Sequence, residues 1–206
     1  DGGSTSEKEI GKYRIAKMLK YYGRDEVDGV FITHGDEDHV NGIEELAERQ
    51  EKEGITICQI IVPNLQKKEE GLQKFVQTVT AKKIPVAAMR KGQQITSGNM
   101  QLRCLHPASE YEWEDANDCS LVFDLSYENL FILTTGDLGV HGEENSTFPR
   151  KRYDILKVGH HGSKNSSSEV FLQKCRPRYG FISAGADNRY GHPAKETLQR
   201  LENISC

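Results

Sequence analysis

The sequence lacks the features that define several protein classes. Its five cysteines are scattered through 206 residues without a C-x-x-C pair, which argues against a disulfide scaffold and a structural zinc ribbon. No apolar run approaches the roughly 18–20 residues that a membrane-spanning helix requires, and the N-terminus does not resemble a signal peptide. With 36% hydrophobic residues the chain can bury one sizeable core, so we expect residues 1–206 to form a single domain.

Predicted helices and strands alternate along the chain. Apolar periodicity predicts helices over residues 7–22, 43–53, 65–81, 168–174 and 194–201. Short apolar runs predict the strands between them, residues 120–134 indicate a hairpin, and residues 139–152 are predicted to be a polar connection. This mixture favours a layered α/β fold with mixed sheets.

The strongest chemical signal follows the first predicted strand. Residues 33–39 place His34, Asp36, Asp38 and His39 at the end of a short apolar run. A strand end holds the backbone rigidly, and the following loop lets alternate side chains converge on one point. Two imidazoles and two carboxylates suit Zn²⁺, Mn²⁺ or Fe, and the carboxylates favour the harder ions. We therefore predict a metal site here rather than a solvated acidic turn.

Two later strand ends carry further candidates. Asp137 follows an apolar run, and its carboxylate can bridge two cations. His160 and His161 follow another buried run, where Gly162 permits close approach of the backbone. These residues add to the predicted metal site.

The residues after this histidine pair indicate an anion site. Ser163, Lys164 and the serines at 166–168 precede a predicted helix, and hydroxyls, an ammonium and helix N–H groups together can bind phosphate. The alternative is a serine-rich helix cap without a ligand.

Two more loops contain polar residues of open role. Arg189 can pair with phosphate beside Asn188, and His192 can be a metal ligand, a general acid or a helix contact. Asn117 and Asp118 precede a strand and are assigned to substrate binding, although a structural role is equally consistent with the pattern.

Five motifs occur together in an order that resembles the metallo-β-lactamase-fold superfamily, and within it the soluble C-terminal domain of the ComEC family of DNA-internalisation competence proteins. They occupy residues 33–39, 117–122, 135–138, 157–164 and 188–193. The resemblance implies an αββα sandwich with a dinuclear metal site in a cleft. It also implies that the first strands of the fold lie upstream of residues 1–4, which resemble the end of a strand and a turn.

The resemblance also implies roles for individual residues. The metal ligands would be His34, Asp36, Asp38, His39, Asp137 and His161. Asp38 and Asp137 would lie nearest the nucleophilic water, and Asp38 would orient it or accept its proton. His160, Ser163, Lys164, Asn188 and His192 would line the substrate side. Lys164 or Arg189 would stabilise the negative charge, and His160 or His192 would protonate the leaving oxygen.

Two departures from the superfamily pattern concern the metals. Asp36 stands where most members have a second histidine, and Asn117 or Asp118 occupies the third-ligand position. Both changes replace nitrogen by oxygen, which weakens the preference for Zn²⁺ and favours Mn²⁺ or Mg²⁺. We expect two divalent ions, Mn²⁺ or Zn²⁺, with Mg²⁺ as a further candidate.

The expected activity is phosphodiester hydrolysis by a nuclease that degrades one DNA strand during uptake. Residues 139–206 are net basic, whereas residues 1–138 are net acidic, which suits a cation site facing an anionic substrate such as single-stranded DNA. The alternatives are a small-molecule phosphodiesterase, such as a phosphorylcholine esterase, and a non-catalytic binding module. A ComEC-like parent with a membrane channel domain would place this domain outside the cytoplasmic membrane, and a stand-alone enzyme would be cytoplasmic.

Overall fold

The structure, a computed structural model, describes every residue except 68, 109, 111, 112 and 114. Some of the predicted 65–81 helix and of the loop before the predicted hairpin therefore lies outside the described residues. The chain divides into two compact units, Asp1–Met89 (unit 1) and Arg90–Cys206 (unit 2). That the whole chain is one metallohydrolase domain stays a prediction.

In its described residues, unit 1 consists of short parallel strands and three α-helices. Strands β2, β4 and β5 form a three-stranded sheet with β4 in the centre, and β1 pairs with β3. Leu46, Ile60 and Phe75, each at most 1% exposed, are part of its core. The elements are β1 (Glu26–Val27), β2 (Val30–Phe31), β3 (Thr56–Ile57), β4 (Ile60–Pro63), β5 (Val86–Met89), α1 (Lys17–Tyr21, preceded by a π-helical segment Gly11–Ala16), α2 (Glu37–Glu53) and α3 (Glu70–Ala81).

Helix α2 begins six residues earlier than the apolar pattern predicts. Asp36 has extended backbone angles and is its N-cap residue, and the helix ends at Gly54 in the left-handed region with φ 63°. His39 therefore lies in the first turn of a helix and not in a loop. The polar run before Ile43 hid this part of the helix.

Unit 2 is built on a six-stranded mixed sheet in the order β11-β10-β9-β8-β7-β6. Strands β6 to β9 are antiparallel, and β9, β10 and β11 are parallel. The hairpin predicted over residues 120–134 is confirmed as β8 and β9. The elements are β6 (Gln94–Ser97), β7 (Met100–His106), β8 (Val122–Tyr127), β9 (Leu130–Thr134), β10 (Ile155–Lys157), β11 (Tyr179–Phe181), α4 (Val140–Asn145), α5 (Glu169–Cys175) and α6 (Lys195–Asn203).

The parallel part of this sheet brings the segments that contain the candidate residues of unit 2 to one edge of the sheet. The register places Thr134, Lys157 and Phe181 side by side at the carboxyl ends of β9, β10 and β11. Loops that leave parallel strands in this way start from the same edge of the sheet. The residues that follow each strand, including Asp137 and the pair at 160–161, therefore start near one another.

Helix α4 (Val140–Asn145) occupies the first part of the polar connection that the sequence predicts over residues 139–152, and residues 146–152 form no helix or strand. The sequence of α4 is short and polar and contains Gly142, so its apolar residues do not recur at helical spacing. A Cβ at Gly142 would collide with the Leu138 side chain, so this glycine serves close packing. Within the described residues, no helix has the length and apolar character needed to cross a membrane, as the sequence predicts.

Candidate functional site

The first group of candidate ligands lies where β2 leads into α2. Ile32 extends the strand by donating to the Ile61 carbonyl. His34 then has no exposed surface, and His39 is 4% exposed. Their ring centroids are 4.1 Å apart, so the strand end and the helix start bring the two imidazoles together.

A single hydroxyl orients both imidazoles. Thr33 Oγ1 lies 3.0 Å from Nδ1 of His34 and 3.2 Å from Nδ1 of His39. A hydroxyl oxygen has two lone pairs and can accept an N–H from each ring. This tautomer would present the Nε2 lone pairs to a cation, which is the usual way in which surrounding residues fix metal-binding histidines. With a proton on Nε2, His34 instead donates to Asp36.

Carboxylates face the Nε2 atoms of these rings. Asp36 Oδ2 is 3.5 Å from His34 Nε2, and Asp1 Oδ1 is 3.9 Å from His39 Nε2. The hydrogen bond with His34 holds the pKa of Asp36 below its usual value, although burial opposes this effect. Asp38 is half-buried in the first turn of α2. Asp36 is therefore ionised and able to bind a cation at neutral pH.

Sequence reasoning missed Asp1. The two glycines that follow it pack against the start of α2, where a Cβ on Gly2 would come 2.6 Å from the His39 carbonyl oxygen and one on Gly3 2.6 Å from that of Glu37. Only glycine permits such an approach. The Asp-Gly-Gly sequence was the signal that could have indicated this position.

The second group belongs to unit 2. Asp137, 3% exposed, has Oδ2 3.2 Å from His161 Nε2. His161 Nδ1 donates to the Ser183 carbonyl at 2.8 Å, and this contact fixes Nε2 as the nitrogen that faces the carboxylate. Ser120 Oγ accepts from the Asp137 amide at 3.0 Å and holds its backbone.

The backbone around His161 is in an unfavourable conformation. His160 and His161 have φ angles of 47° and 54°, in the left-handed region that disfavours residues with a side chain. Two such residues in succession cost about 1–3 kcal/mol each and are typical of functional sites. The two unfavourable residues are His160 and His161 themselves, the residues whose imidazoles are candidates for the site.

The loop with His192 and Asn188 lies beside these histidines. The ring centroids of His160 and His192 are 5.8 Å apart. Burial, and then the nearby His160 and His161, lower the pKa of His192. Asn188 donates to the carbonyls of Gly185 and His192, so its amide holds the loop in shape.

The serines of the predicted anion site have largely structural contacts. Ser163 is 4% exposed and accepts from the Asn165 amide, while Lys164 is exposed. Ser166 and Ser167 are fully buried. Ser168 accepts from the Phe171 amide and caps α5, so the structure contains the serine-rich cap that the sequence left open as an alternative.

The third group surrounds the turn Asn117–Cys119. Asp118 is 4% exposed and its Oδ2 lies 3.2 Å from Nδ1 of His141, a partner that sequence reasoning missed because it lies in unrecognised helix α4. The buried Oδ1 of Asn117 accepts no hydrogen bond from the described residues.

His106 supports this turn from the end of β7. Its Nε2 contacts the Asp118 carbonyl, and its Nδ1 contacts the Ser146 hydroxyl. Burial lowers the pKa of His106 to about 4, so it is a neutral structural residue.

The donor atoms within each unit fit a divalent cation. Two ligand atoms of a tetrahedral ion with bonds of about 2.1 Å lie about 3.4 Å apart. The nitrogen–oxygen separations are 3.5 Å for His34 with Asp36 and 3.2 Å for His161 with Asp137. Imidazole nitrogen and carboxylate oxygen suit Zn²⁺, Mn²⁺ and Fe.

Comparison with known proteins identifies the fold. The sequence profile of the metallo-beta-lactamase superfamily matches residues 1–88. Among solved structures, the chain is similar to the metallo-beta-lactamase fold protein YhfI of Bacillus subtilis (TM-score 0.55, 11% identity, 92% of this chain and 77% of that one). It is also similar to CmlA, a diiron beta-hydroxylase of Streptomyces venezuelae (TM-score 0.57, 11% identity, 87% and 42%). The chain has the metallo-β-lactamase fold, which confirms the predicted fold class and is typical of metal-dependent hydrolases.

The sequence relatives are more specific. The chain is 30% identical to ComE operon protein 3 of Bacillus subtilis over 204 residues, which is 98% of this chain and 25% of that protein. It is 26% identical to Recombination protein 2 of Haemophilus influenzae, over 97% of this chain and 22% of that protein. The chain thus resembles the ComEC family of competence proteins, as its motifs predict, and spans about a quarter of these relatives.

Proposed function

We propose that this chain is a metal-dependent phosphodiester hydrolase, a nuclease that degrades one strand of DNA during DNA uptake. The observation that carries the proposal is the pair His161 and Asp137, in which a backbone carbonyl fixes the imidazole toward a buried carboxylate. DNA as the substrate is supported by the similarity to competence proteins. The basic character of residues 139–206 suits the same substrate.

The proposed ligands of two divalent cations are His34, Asp36, Asp38, His39, Asp137 and His161. Bound cations would lower the pKa of a water nucleophile and polarise the phosphodiester. Oxygen atoms at Asp36, and at Asn117 or Asp118, favour Mn²⁺, with Zn²⁺ and Mg²⁺ as the other candidates.

Side chains of the protein would transfer the protons and neutralise the charge of the phosphate. Asp38 orients the attacking water and accepts its proton, and His160 or His192 donates a proton to the leaving oxygen. The exposed ammonium of Lys164 and guanidinium of Arg189 neutralise the phosphate oxygens. Asn188 keeps the loop that carries Arg189 and His192 in place.

The setting of the domain is part of the proposal. The chain spans 25% of ComE operon protein 3, so a parent of that kind has room for a membrane channel domain. We place the nuclease on the extracytoplasmic face beside such a channel, where it would meet DNA before entry.

End-labelled single- and double-stranded DNA tests the function. Metal-stripped protein is given Mn²⁺, Mg²⁺ or Zn²⁺, and wild type is compared with Asp38→Ala. We expect metal-dependent cleavage that falls at least about a hundredfold in the variant, because loss of general acid–base catalysis costs about 10²–10⁴-fold.

Glu37→Ala is the matched control, since Glu37 is an exposed carboxylate in the same helical turn. It should cleave like the wild type. Cleavage that survives in Asp38→Ala would refute the assignment of Asp38. Hydrolysis of bis(p-nitrophenyl) phosphate without cleavage of any DNA would favour a small-molecule phosphodiesterase.

A further inference from the structure

A row of rings leads from candidate ligand His161 to the protein surface. The centroids of His161 and His160 are 6.3 Å apart, and those of His160 and His192 are 5.8 Å apart. Tyr190 then stacks on His192 at 5.7 Å with an interplanar angle of 23°. The row ends in solvent, because Tyr190 is 60% exposed.

A cation lies at the outer end of this row. The Arg189 guanidinium carbon is 4.8 Å from the centre of the Tyr190 ring, and Nη2 donates to the Tyr190 hydroxyl at 2.6 Å. Arg189 is exposed, and among the described residues no salt bridge joins it to a carboxylate. An uncompensated cation thus lies over the face of the Tyr190 ring, within three rings of His161.

The loop holds this ring in place. Asn188 Oδ1 accepts from the Tyr190 amide at 3.2 Å and from the His192 amide at 2.9 Å, while its Nδ2 donates to the His192 carbonyl. Gly191, with φ 68°, makes the tight turn between the two rings. A ring that is already ordered loses little conformational entropy when a ligand stacks on it.

The geometry points to Tyr190 and Arg189 as a subsite for one unpaired nucleotide, whose base takes the place of the exposed guanidinium over the tyrosine ring and whose phosphate pairs with the displaced arginine. Every base has a face that can stack, so the subsite tolerates all sequences. Bases inside a duplex are stacked on each other and do not offer that face, so the subsite selects single strands. This inference rests on the proposed nuclease function and adds its strand specificity.

Binding without cleavage tests the subsite separately from hydrolysis. The anisotropy of a fluorescent oligothymidylate is titrated with protein in EDTA, for the wild type, Tyr190→Ala and Tyr190→Phe. Loss of one base–aromatic stack weakens binding by about fivefold to more than a hundredfold. We expect that loss in Tyr190→Ala and wild-type affinity in Tyr190→Phe, which keeps the ring.

Three controls isolate stacking on Tyr190 from loss of another tyrosine, from charge and from folding. Tyr127→Ala removes another exposed tyrosine of unit 2, at the end of β8, and should bind like the wild type. An abasic strand keeps its phosphates but has no base, so the wild type and Tyr190→Ala should bind it equally. Equal thermal midpoints of the variants would show that all are folded.

The outcomes separate this inference from the proposed function. If Tyr190→Ala binds oligothymidylate as tightly as the wild type, the subsite is wrong, whatever the wild type cleaves. If the affinity falls in Tyr190→Ala but the wild type cleaves no DNA with any metal, the subsite stands and the nuclease function fails.

Discussion

Thr33 contributes to the candidate site through its hydroxyl. Its Oγ1 contacts Nδ1 of both His34 and His39, and the two rings are otherwise placed by different elements. Residues that hold a metal ligand through its second nitrogen change metal affinity by about 10–100-fold when they are removed. Thr33 is therefore a positioning residue for unit 1.

We predict that Thr33→Val weakens Mn²⁺ binding to the metal-stripped protein by about 10–100-fold, as measured by calorimetric titration. Valine has nearly the shape of threonine but cannot accept the Nδ1–H groups. Thr33→Ser keeps the hydroxyl and should bind Mn²⁺ like the wild type. Equal affinities for valine and threonine would show that the hydroxyl does not orient the ligands.

Single site residues were predictable where a metal-binding residue type directly follows an apolar run in the sequence. His34 and His39 flank acidic residues after an apolar run, and the structure buries both. Asp1 could not be found in this way. It lies beside His39 because Gly2 and Gly3, which follow it in the chain, pack against the start of α2. His141 was missed because it lies in the unrecognised helix α4, 23 residues from its partner Asp118.

At the scale of the elements, glycine inside a helix concealed two structural features. Gly42 lies within α2, where a Cβ would collide with the Gly2 carbonyl oxygen, and Gly142 lies within α4 against Leu138. Propensity counts both as unfavourable to helices by about 1 kcal/mol. Tertiary packing outweighs that cost. Because the periodicity of a sequence contains no information on tertiary packing, it did not predict these parts of the two helices.

The segment Ser163 to Ser168 is held from both sides by helices of unit 2. The buried Glu143 of α4 accepts from the amides of Ser167 and Ser168. Arg200 of α6 donates to the carbonyls of Lys164 and Ser166 at 3.0 and 3.1 Å. These contacts satisfy backbone groups that no regular element pairs, so the two side chains help to hold the segment in place.

We predict that Arg200→Gln lowers the free energy of unfolding by about 1–3 kcal/mol, because the backbone carbonyls of Lys164, Ser166 and Ser167 lose a charged donor. The variant also removes a positive charge that lowers the pKa of Glu143, whose burial raises it. Lys195→Gln, an exposed change in the same helix, should stay within about 0.5 kcal/mol. Urea unfolding curves with equal stability for both variants would contradict the role of Arg200.

At the scale of the whole molecule, net charge conceals a local basic surface. The chain has a formal net charge of −4, yet unit 2 has a basic edge formed by Lys151, Arg152, Arg176 and Arg178, all exposed. Backbone hydrogen bonds of Tyr153 with both Cys175 and Arg178 bring the two segments side by side.

Arg150 belongs to the same basic run in the sequence but not to the basic edge. It donates to buried Asp124 at 2.8 Å and lies 3.9 Å over the Phe131 ring. A cation paired in this way is not available to a phosphate. Sequence alone groups 150–152 as one basic run, whereas the structure separates its first member from the other two.

The basic edge makes a prediction about salt. Each phosphate contact with a single strand adds about −0.7 to the slope of log K against log salt concentration. Lys151→Gln with Arg152→Gln should therefore reduce the slope for oligothymidylate by about 1.4, if each residue contacts one phosphate. Lys82→Gln with Lys83→Gln, another adjacent exposed pair, should leave the slope unchanged. An unchanged slope in the first double variant would remove the basic edge from the DNA path. A wild type without salt dependence would instead identify a substrate with few phosphates, because only a multiply charged strand releases counterions on binding.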